Sequence, residues 1–280
     1  MAANSVLRWG LMANRPLKVK RCHGLGDVLM LLPVLLKAAH SGVDVTLFTR
    51  AEWIEALAAW CPSIRFTSNL LEGMCDLDAL TENSRPRTHR TLEFGNLLKV
   101  DPPFPFLNEC KPRFFSKLSQ LCQGCVAFAP EAGHPARQWP TAHSIELATM
   151  LVGTPLVLIG QSQTIDIPAD TDLRGRLSLD QLFEVVSCAS SVVCMDSGIL
   201  QVAMSLGTPV LSIFGGIDPQ FRILPNQRAR VLIGRVKCRP CNKNETCAGQ
   251  YTCLREITAD AVQKALIGIE KVNELDIWAH

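Results

Sequence analysis

The sequence predicts an α/β protein in which helices cover parallel sheets. Short apolar runs that end in glycine or proline alternate with longer amphipathic segments in both halves of the chain. The chain has 280 residues, of which 48% are hydrophobic and 19% are charged, so it can fill the cores of two domains. We therefore expect two α/β domains, residues 1–122 and 123–280, of which the second is doubly wound.

In the first half the pattern predicts two strands and two helices in alternation. Residues 17–22 alternate apolar and basic side chains, as a strand does, and a helix follows the glycine turn at 23–27. Residues 43–49 form the second predicted strand and residues 51–60 the second helix, which gives a β-α-β unit. From residue 69 to residue 112 polar and proline-rich stretches predict loops and short helices.

In the second half the alternation is cleaner and predicts a parallel sheet with helices on both faces. The predicted strands are 125–130, 155–160, 191–196, 209–215 and 230–234. The predicted helices are 141–151, 178–189, 198–207 and a final helix at 258–275.

Charge and hydropathy exclude several functional classes. The net charge is +2 without a long basic block, so nucleic-acid binding has no electrostatic support. The most apolar window is shorter than the ~20 residues of a membrane helix. The first twenty residues lack the apolar core of a secretory signal. We expect a cytoplasmic protein, and peripheral contact with the inner membrane stays open.

Three predicted strand ends carry polar residues that suit an anion site. Asp196, Ser197 and Gly198 join a strand to a helix, whose free N–H groups would face an anion. Arg137 follows another strand and can clamp phosphate oxygens. Asp27 follows the glycine turn. The alternatives are that the acids and Ser197 only cap helices and that Arg137 is a solvated loop residue.

Twelve cysteines are present, and four of them are close together near the end of the chain. These are Cys238, Cys241, Cys247 and Cys253. The spacing Cys-x2-Cys-x5-Cys-x5-Cys suits a structural zinc ion, and iron is an alternative. Reduced thiols and disulfides in a surface loop are the other interpretations.

Several of these segments resemble glycosyltransferase family 9, the ADP-heptose:lipopolysaccharide heptosyltransferases. They are residues 24–38, 136–140, 178–219 and the cysteine-bearing segment 238–258. The resemblance implies a GT-B fold, in which two Rossmann-like domains face each other across a cleft. It also implies inverting transfer from a nucleotide-sugar, with no metal needed for catalysis.

The resemblance also implies roles for individual residues. Asp27 matches the general base of the family, and Gly24 and Gly26 form its acceptor-side turn. Arg137 stands where the family usually has a lysine that binds donor phosphate. Asp196, Ser197, Gly198 and Ile199 match the segment that holds the diphosphate and sugar. Gln201 stands in the donor-binding segment where relatives often have histidine.

The predicted function is therefore transfer of heptose from ADP-heptose to a hydroxyl group of the lipopolysaccharide core or a related glycan. The expected partners are a nucleotide-sugar donor and a glycan or glycolipid acceptor. One alternative is a family-9-like transferase with another nucleotide-sugar donor or a protein acceptor. Another alternative is a non-catalytic nucleotide-sugar-binding protein. The replacement of the family histidine by Gln201 favours this alternative, whereas the presence of Asp27 and of the Asp-Ser-Gly segment speaks against it.

Overall fold

A computed structural model of the chain describes residues 16–81, 88–100, 116–163, 165–241 and 247–280. Contacts divide the chain into two compact units, Met1–Pro112 and Arg113–His280. The division lies before the boundary predicted after residue 122, because the intervening helix packs within the second unit. Glu184 accepts hydrogen bonds there from Ser116 Oγ and from the backbone N–H of Ser119.

The first unit contains a four-stranded parallel sheet. Its strands are β1 (Leu17–Lys20), β2 (Val45–Phe48), β3 (Arg65–Thr67) and β4 (Cys75–Asp76). Its helices are α1 (Leu25–His40), α2 (Ala51–Trp60), α3 (Leu77–Thr81) and α4 (Arg90–Leu98). The strands lie in the order β3-β2-β1-β4, and β1 pairs with β2 from Leu17 opposite Val45 to Lys20 opposite Phe48.

The apolar run of α1 forms much of the core of this unit. All residues from Val28 to Leu36 are buried, and the helix continues through Pro33. Helix α4 packs against α1, where its Phe94 is fully buried. The structure confirms the predicted β1, α1, β2 and α2. The proline-rich segment at 101–112, predicted as loops and short helices, lies outside the described residues.

The second unit contains a seven-stranded parallel sheet. Its strands are β5 (Val126–Ala129), β6 (Leu156–Leu158), β7 (Thr171–Asp172), β8 (Ser191–Met195), β9 (Val210–Phe214), β10 (Ala229–Ile233) and β11 (Asp276–Ala279). Its helices are α5 (Lys117–Cys122), α6 (Thr141–Met150), α7 (Leu179–Cys188), α8 (Gly198–Leu206), α9 (Thr252–Arg255) and α10 (Ala259–Leu266).

The strand order of this sheet is β11-β10-β9-β8-β5-β6-β7. All strands are parallel, but successive strands are added on one side of β5 first and on its other side afterwards. From β5 the chain proceeds to β6 on one side, and it later returns to β8 on the other side. In an open parallel sheet, such a change of side leaves a crevice beyond the carboxyl ends of the two strands, where ligands bind. The residues that follow β5 and β8 are therefore placed at a natural ligand site.

The prediction of one long final helix at 258–275 is wrong. Helix α10 ends at Leu266, and Gly268 follows with a φ of 69°, a left-handed conformation that ends helices. The chain then reaches β11, which pairs with β10 at the edge of the sheet. In the ranges that the structure describes, no helix has both the length and the apolar character needed to cross a membrane.

Candidate functional site

The chain leaves β8 and starts α8 without a side-chain cap. Ser197 is the N-cap residue, but its hydroxyl makes no capping hydrogen bond. The hydroxyl is buried and has no hydrogen-bond partner among the described residues. The interpretation of Asp196 and Ser197 as helix caps is therefore wrong. Within the described part of the chain, no side-chain capping bond is made at the start of α8, so its first N–H groups, from Gly198 and Ile199 onward, suit an anion.

Two arginines flank Asp196, which is only 3% exposed. Arg137 Nη1 donates to the Asp196 carbonyl oxygen at 3.1 Å and lies 3.9 Å from its carboxylate Oδ2. Arg222 Nε lies 3.4 Å from carboxylate Oδ1. A buried carboxylate needs charge partners, and the guanidinium groups supply them. Two positive charges around one negative charge leave this strand end attractive to a further anion.

The loop that carries Arg137 is fixed by its own side chains. Gln138 Nε2 donates to two backbone carbonyls of the loop at 2.8 and 3.0 Å. His134 caps the 3₁₀ turn of Arg137 by accepting a backbone hydrogen bond through Nδ1. Trp139 is fully buried, and its indole N–H donates to a backbone carbonyl before α10 at 2.8 Å. The side chain of Arg137 therefore projects from an ordered loop, at 30% exposure.

Gln201 lies on α8 and is only 4% exposed. Its Nε2 donates to the backbone carbonyl of Arg222 at 3.0 Å. The side-chain amide of Gln201 is thus hydrogen-bonded to the backbone of the loop that carries Arg222.

In the first unit, Asp27 lies in the first turn of α1 and pairs with a buried arginine. Its Oδ2 accepts a hydrogen bond from Nη2 of Arg21, the residue that follows β1. The N-cap residue of α1 is Gly24, which makes no side-chain capping hydrogen bond, so Asp27 lies in the first turn and not at the cap position. The side chain of Arg21 is 3% exposed and that of Asp27 is 25% exposed. The Asp27 carboxylate is therefore partly exposed to solvent, while the arginine that binds it is buried.

Arg21 is itself held from several directions. Its Nη1 donates to the Leu77 carbonyl at 3.2 Å and to Thr81 Oγ1 at 2.7 Å. The same nitrogen lies 3.2 Å from Asp78 Oδ1. The guanidinium carbon lies 5.4 Å from the centre of the Phe94 ring, a cation–π distance. Helices α3 and α4 thus fix Arg21, and through it Asp27.

The turn between β1 and α1 is built on α3. Asp78 accepts hydrogen bonds from the backbone N–H groups of Cys22 at 2.9 Å and His23 at 3.2 Å. Gly24 precedes α1 with a φ of 66°, a conformation that glycine adopts without strain. Gly26 is the second residue of α1. This arrangement places Asp27 at the carboxyl end of β1.

The four late cysteines line one cavity of the second unit, and Arg137 lines the same cavity. They are Cys238, Cys241, Cys247 and Cys253. All four are free thiols, which does not support the disulfide interpretation. Burial raises the pKa of Cys253, although the nearby Arg239 acts in the opposite direction.

The chemistry of these four thiols suits zinc or iron. Among the described residues, however, no three histidine, cysteine or acidic side chains approach closely enough to hold a metal ion. The metal site thus stays a prediction.

We call residues 238–258 the cysteine segment. Its first residues, 238–241, pack against the turn that follows β9. Arg239 donates through Nε to the Gly215 carbonyl and through Nη2 to the Ile217 carbonyl, the latter at 3.0 Å. Cys241 Sγ lies where a side chain at Gly216 would begin, since an added Cβ would be 2.2 Å away from it. The segment therefore contacts the chain that leads from β9 to Arg222.

Sequence reasoning missed two of the residues that contact the predicted site residues, Arg21 and Arg222. Arg21 ends an alternating apolar and basic strand, where it looks like a further exposed cation. Arg222 stands in a loop whose sequence shows no motif for it. Sequence spacing could not reveal the pairs Arg21–Asp27 and Arg222–Asp196, because these contacts depend on how strands and helices pack together.

The family model for glycosyltransferase family 9 (heptosyltransferase) matches residues 103–252, more than half of the chain. The chain belongs to this family. The matched segment includes Arg137, Asp196 and Gln201 and three of the late cysteines, whereas Asp27 lies outside it.

Lipopolysaccharide heptosyltransferase 2 of Salmonella typhimurium (strain LT2) is 27% identical to this chain over 157 residues. The alignment covers 50% of this chain and 45% of that protein. The chain thus spans about half the length of the curated relatives it matches.

Solved heptosyltransferase structures show the same fold. The iron-containing dodecameric heptosyltransferase TibC from enterotoxigenic E. coli H10407, in complex with ADP-D-β-D-heptose, has a TM-score of 0.71 at 19% identity. That comparison covers 92% of this chain and 76% of TibC. The ADP-heptose lipopolysaccharide heptosyltransferase II of E. coli has a TM-score of 0.62 at 17% identity, over 92% of this chain and 99% of that one.

Proposed function

We propose that this family 9 protein is an inverting glycosyltransferase that takes its sugar from a nucleoside-diphosphate donor. ADP-heptose is the proposed donor, and a hydroxyl group of the lipopolysaccharide core or a related glycan is the proposed acceptor. TibC was solved in complex with ADP-D-β-D-heptose and the E. coli heptosyltransferase WaaC with ADP, which supports the donor class. Relatives of the chain are a lipopolysaccharide heptosyltransferase and a lipooligosaccharide heptosyltransferase, which supports the acceptor class.

The observation that carries the proposal is the uncapped start of α8 beside Arg137. Backbone N–H groups, the positive end of a helix dipole and a guanidinium group all favour a diphosphate. Such groups stabilise the negative charge that grows on the diphosphate as it leaves the sugar. In this proposal Ser197, Gly198 and Ile199 hold the diphosphate, Arg137 clamps it and Asp196 contributes to binding the sugar.

The proposed reaction breaks one bond and forms one bond at the anomeric carbon. The acceptor oxygen attacks from the face opposite the diphosphate, so the bond to the diphosphate oxygen breaks and the configuration inverts. Asp27 takes the proton from the acceptor hydroxyl as the new bond forms. The proposal requires a GT-B arrangement, with Asp27 presented to an acceptor while the second unit holds the donor.

The cysteine segment has a structural role in the proposal. Cys238, Cys241, Cys247 and Cys253 would hold zinc or iron away from the reacting atoms, and catalysis would need no metal. Peripheral contact with the inner membrane, where a glycolipid acceptor would lie, belongs to the same proposal.

Arg137→Ala tests the donor site. We expect wild-type protein to bind ADP and the variant to bind it about tenfold or more weakly, because a charge-assisted hydrogen bond to phosphate is lost. Calorimetric titration measures both dissociation constants. Arg65→Ala removes an exposed arginine of the first unit and serves as the control, with unchanged affinity. An unchanged dissociation constant for Arg137→Ala would remove the clamp from the proposal.

A donor-hydrolysis assay across ADP-, GDP- and UDP-sugars separates the alternatives. Turnover of ADP-heptose supports the proposed donor, and preference for another nucleotide-sugar supports a family 9 transferase of different specificity. Binding without any turnover, in the presence of a lipopolysaccharide core acceptor, would identify a non-catalytic nucleotide-sugar-binding protein.

A further inference from the structure

Arg222 reaches the strand end of β8 from a neighbouring loop. It follows the 3₁₀ turn Pro219–Phe221, which comes after β9, the strand paired with β8. Its side chain is 14% exposed and extends back to the Asp196 carboxylate, with Nε 3.4 Å from Oδ1. Arg137 approaches the same residue from the loop after β5. Two loops from different strands therefore direct guanidinium groups at one carboxylate.

Unsatisfied polar atoms are concentrated at this point. Among the described residues, Arg222 Nη1, Asp196 Oδ2 and Ser197 Oγ are each buried without a hydrogen-bond partner. About 90% or more of buried polar groups in proteins have such a partner. These three atoms lie beyond the carboxyl ends of the central strands β8 and β9, which is where open parallel sheets bind ligands. The simplest account is therefore that a ligand completes their hydrogen bonds. Arg222 Nη1 can only donate, so its share of that ligand must be an acceptor.

Gln201 fixes the backbone from which Arg222 extends. Its Nε2 donates to the Arg222 carbonyl at 3.0 Å, and Gln201 is buried on α8. The helix whose first N–H groups face the proposed diphosphate thus holds Arg222 through a residue in its own first turn. This gives Gln201 a function that does not require it to touch the donor.

We infer that Arg222 is a second diphosphate-binding residue and that Gln201 is its positioning residue. The inference rests on the proposed donor site and extends it. Arg222 Nη1 donates to a non-bridging phosphate oxygen, while its Nε remains paired with Asp196. Phosphate fits better than a neutral sugar hydroxyl, because Arg137 and Arg222 together carry more charge than Asp196 neutralises.

Calorimetric titration of full-length variants with ADP, inorganic pyrophosphate and adenosine tests the inference. We expect Arg222→Gln to weaken ADP and pyrophosphate binding about ten- to hundredfold, the range for a lost hydrogen bond to a charged group. Adenosine binding should not change, since it has no phosphate. Gln201→Leu should weaken ADP binding several-fold, and Gln201→His should restore it, because the imidazole N–H can donate to the same carbonyl.

Arg228→Gln is the matched control. Arg228 is also a partly buried arginine of the second unit, but it bonds to backbone carbonyls near the amino-terminal end of β10. We expect lower thermal stability with unchanged ADP affinity. Wild-type pyrophosphate affinity in Arg222→Gln would overturn the inference, and so would an equal loss in Arg228→Gln. If wild-type protein binds neither ADP nor pyrophosphate, the proposed donor site itself falls.

Discussion

Asp27 joins a solvent-reaching carboxylate to a buried guanidinium. Arg21 holds Oδ2, so the carboxylate keeps one orientation at the start of α1. Thr81 and Asp78 fix Arg21 in turn. A general base is effective only if it lies within hydrogen-bond reach of the proton it takes, and a fixed orientation serves that requirement. The network therefore supports the proposed role of Asp27.

Asp27→Asn keeps the size of the side chain and removes its basic carboxylate. We expect transfer to fall about 10²- to 10⁴-fold, the usual contribution of a general base, with ADP affinity unchanged. Release of ADP from ADP-heptose in the presence of a lipopolysaccharide core acceptor measures transfer. Asp44→Asn, at an exposed ion pair of the same unit, should keep full activity. Full turnover by Asp27→Asn would exclude Asp27 from the mechanism.

At the scale of elements, a buried arginine compensates for the short strand β7. Arg174 is 2% exposed, and its Nε and Nη2 donate to the two carboxylate oxygens of Asp172 at 3.0 and 2.8 Å. It also donates to the Ile165 carbonyl at 2.7 Å and approaches Glu131 Oε1, after β5, at 3.5 Å. These bonds connect the carboxyl ends of β5 and β7. Because β7 has only two residues, its backbone hydrogen bonds alone would attach it weakly to the sheet.

The Asp172 carboxylate makes this connection sensitive to pH, and Asp172→Asn removes that sensitivity. The hydrogen bond from Arg174 lowers the pKa of Asp172 below its ordinary value of 3.8. The stabilisation is therefore complete above pH 3.8 and is lost as pH falls through the lower folded pKa. We expect the variant to lose about 1 kcal/mol at pH 7, since the carboxylate is partly exposed. The difference from wild type should shrink below pH 3.8.

Urea unfolding at pH 7 and in steps below pH 4 measures this free energy. Asp260→Asn is the control, because its exposed pair with Lys264 within one helix contributes only ~0.5 kcal/mol or less. A constant difference between Asp172→Asn and wild type at every pH would contradict the assignment.

The length of an element decided whether the sequence could reveal it. Strands β5, β8 and β9 are fully buried apolar runs, which the sequence shows directly. Strands β4 and β7 have two residues each, too few for any periodicity. The last predicted helix failed because the apolar spacing continues beyond Leu266, whereas the backbone turns at Gly268.

At the scale of the whole molecule, the cysteine segment connects separate parts of the second unit. Cys241 packs on Gly216 after β9, and Arg239 bonds to the carbonyls on both sides of that glycine. The backbone of Cys253 lies against Gly234 after β10, where an added Cβ would be 2.3 Å from its carbonyl oxygen. A metal held by this segment would therefore brace the loops beyond β9 and β10.

Elemental analysis of protein purified without chelator tests the metal. We expect zinc or iron in wild type, a lower content in Cys241→Ser and a lower melting temperature after chelation, because metal binding contributes to folding. Cys22→Ser, outside the segment, should retain the metal. Gly216→Ala should displace Cys241 and lower the metal content, whereas Gly133→Ala adds its methyl to open space. Metal-free wild-type protein would exclude the site.

The sequence by itself determined the α/β class, the strands of the two sheets with the longest apolar runs, and the polar residues that follow β1, β5 and β8. It could do so because strand and helix periodicity, and the chemistry of strand ends, are local properties. The tertiary structure decided which side chains meet: Arg21 with Asp27, Arg222 with Asp196, and Gln201 with the backbone of Arg222. These contacts depend on strand order and on the paths of loops, which no local pattern records.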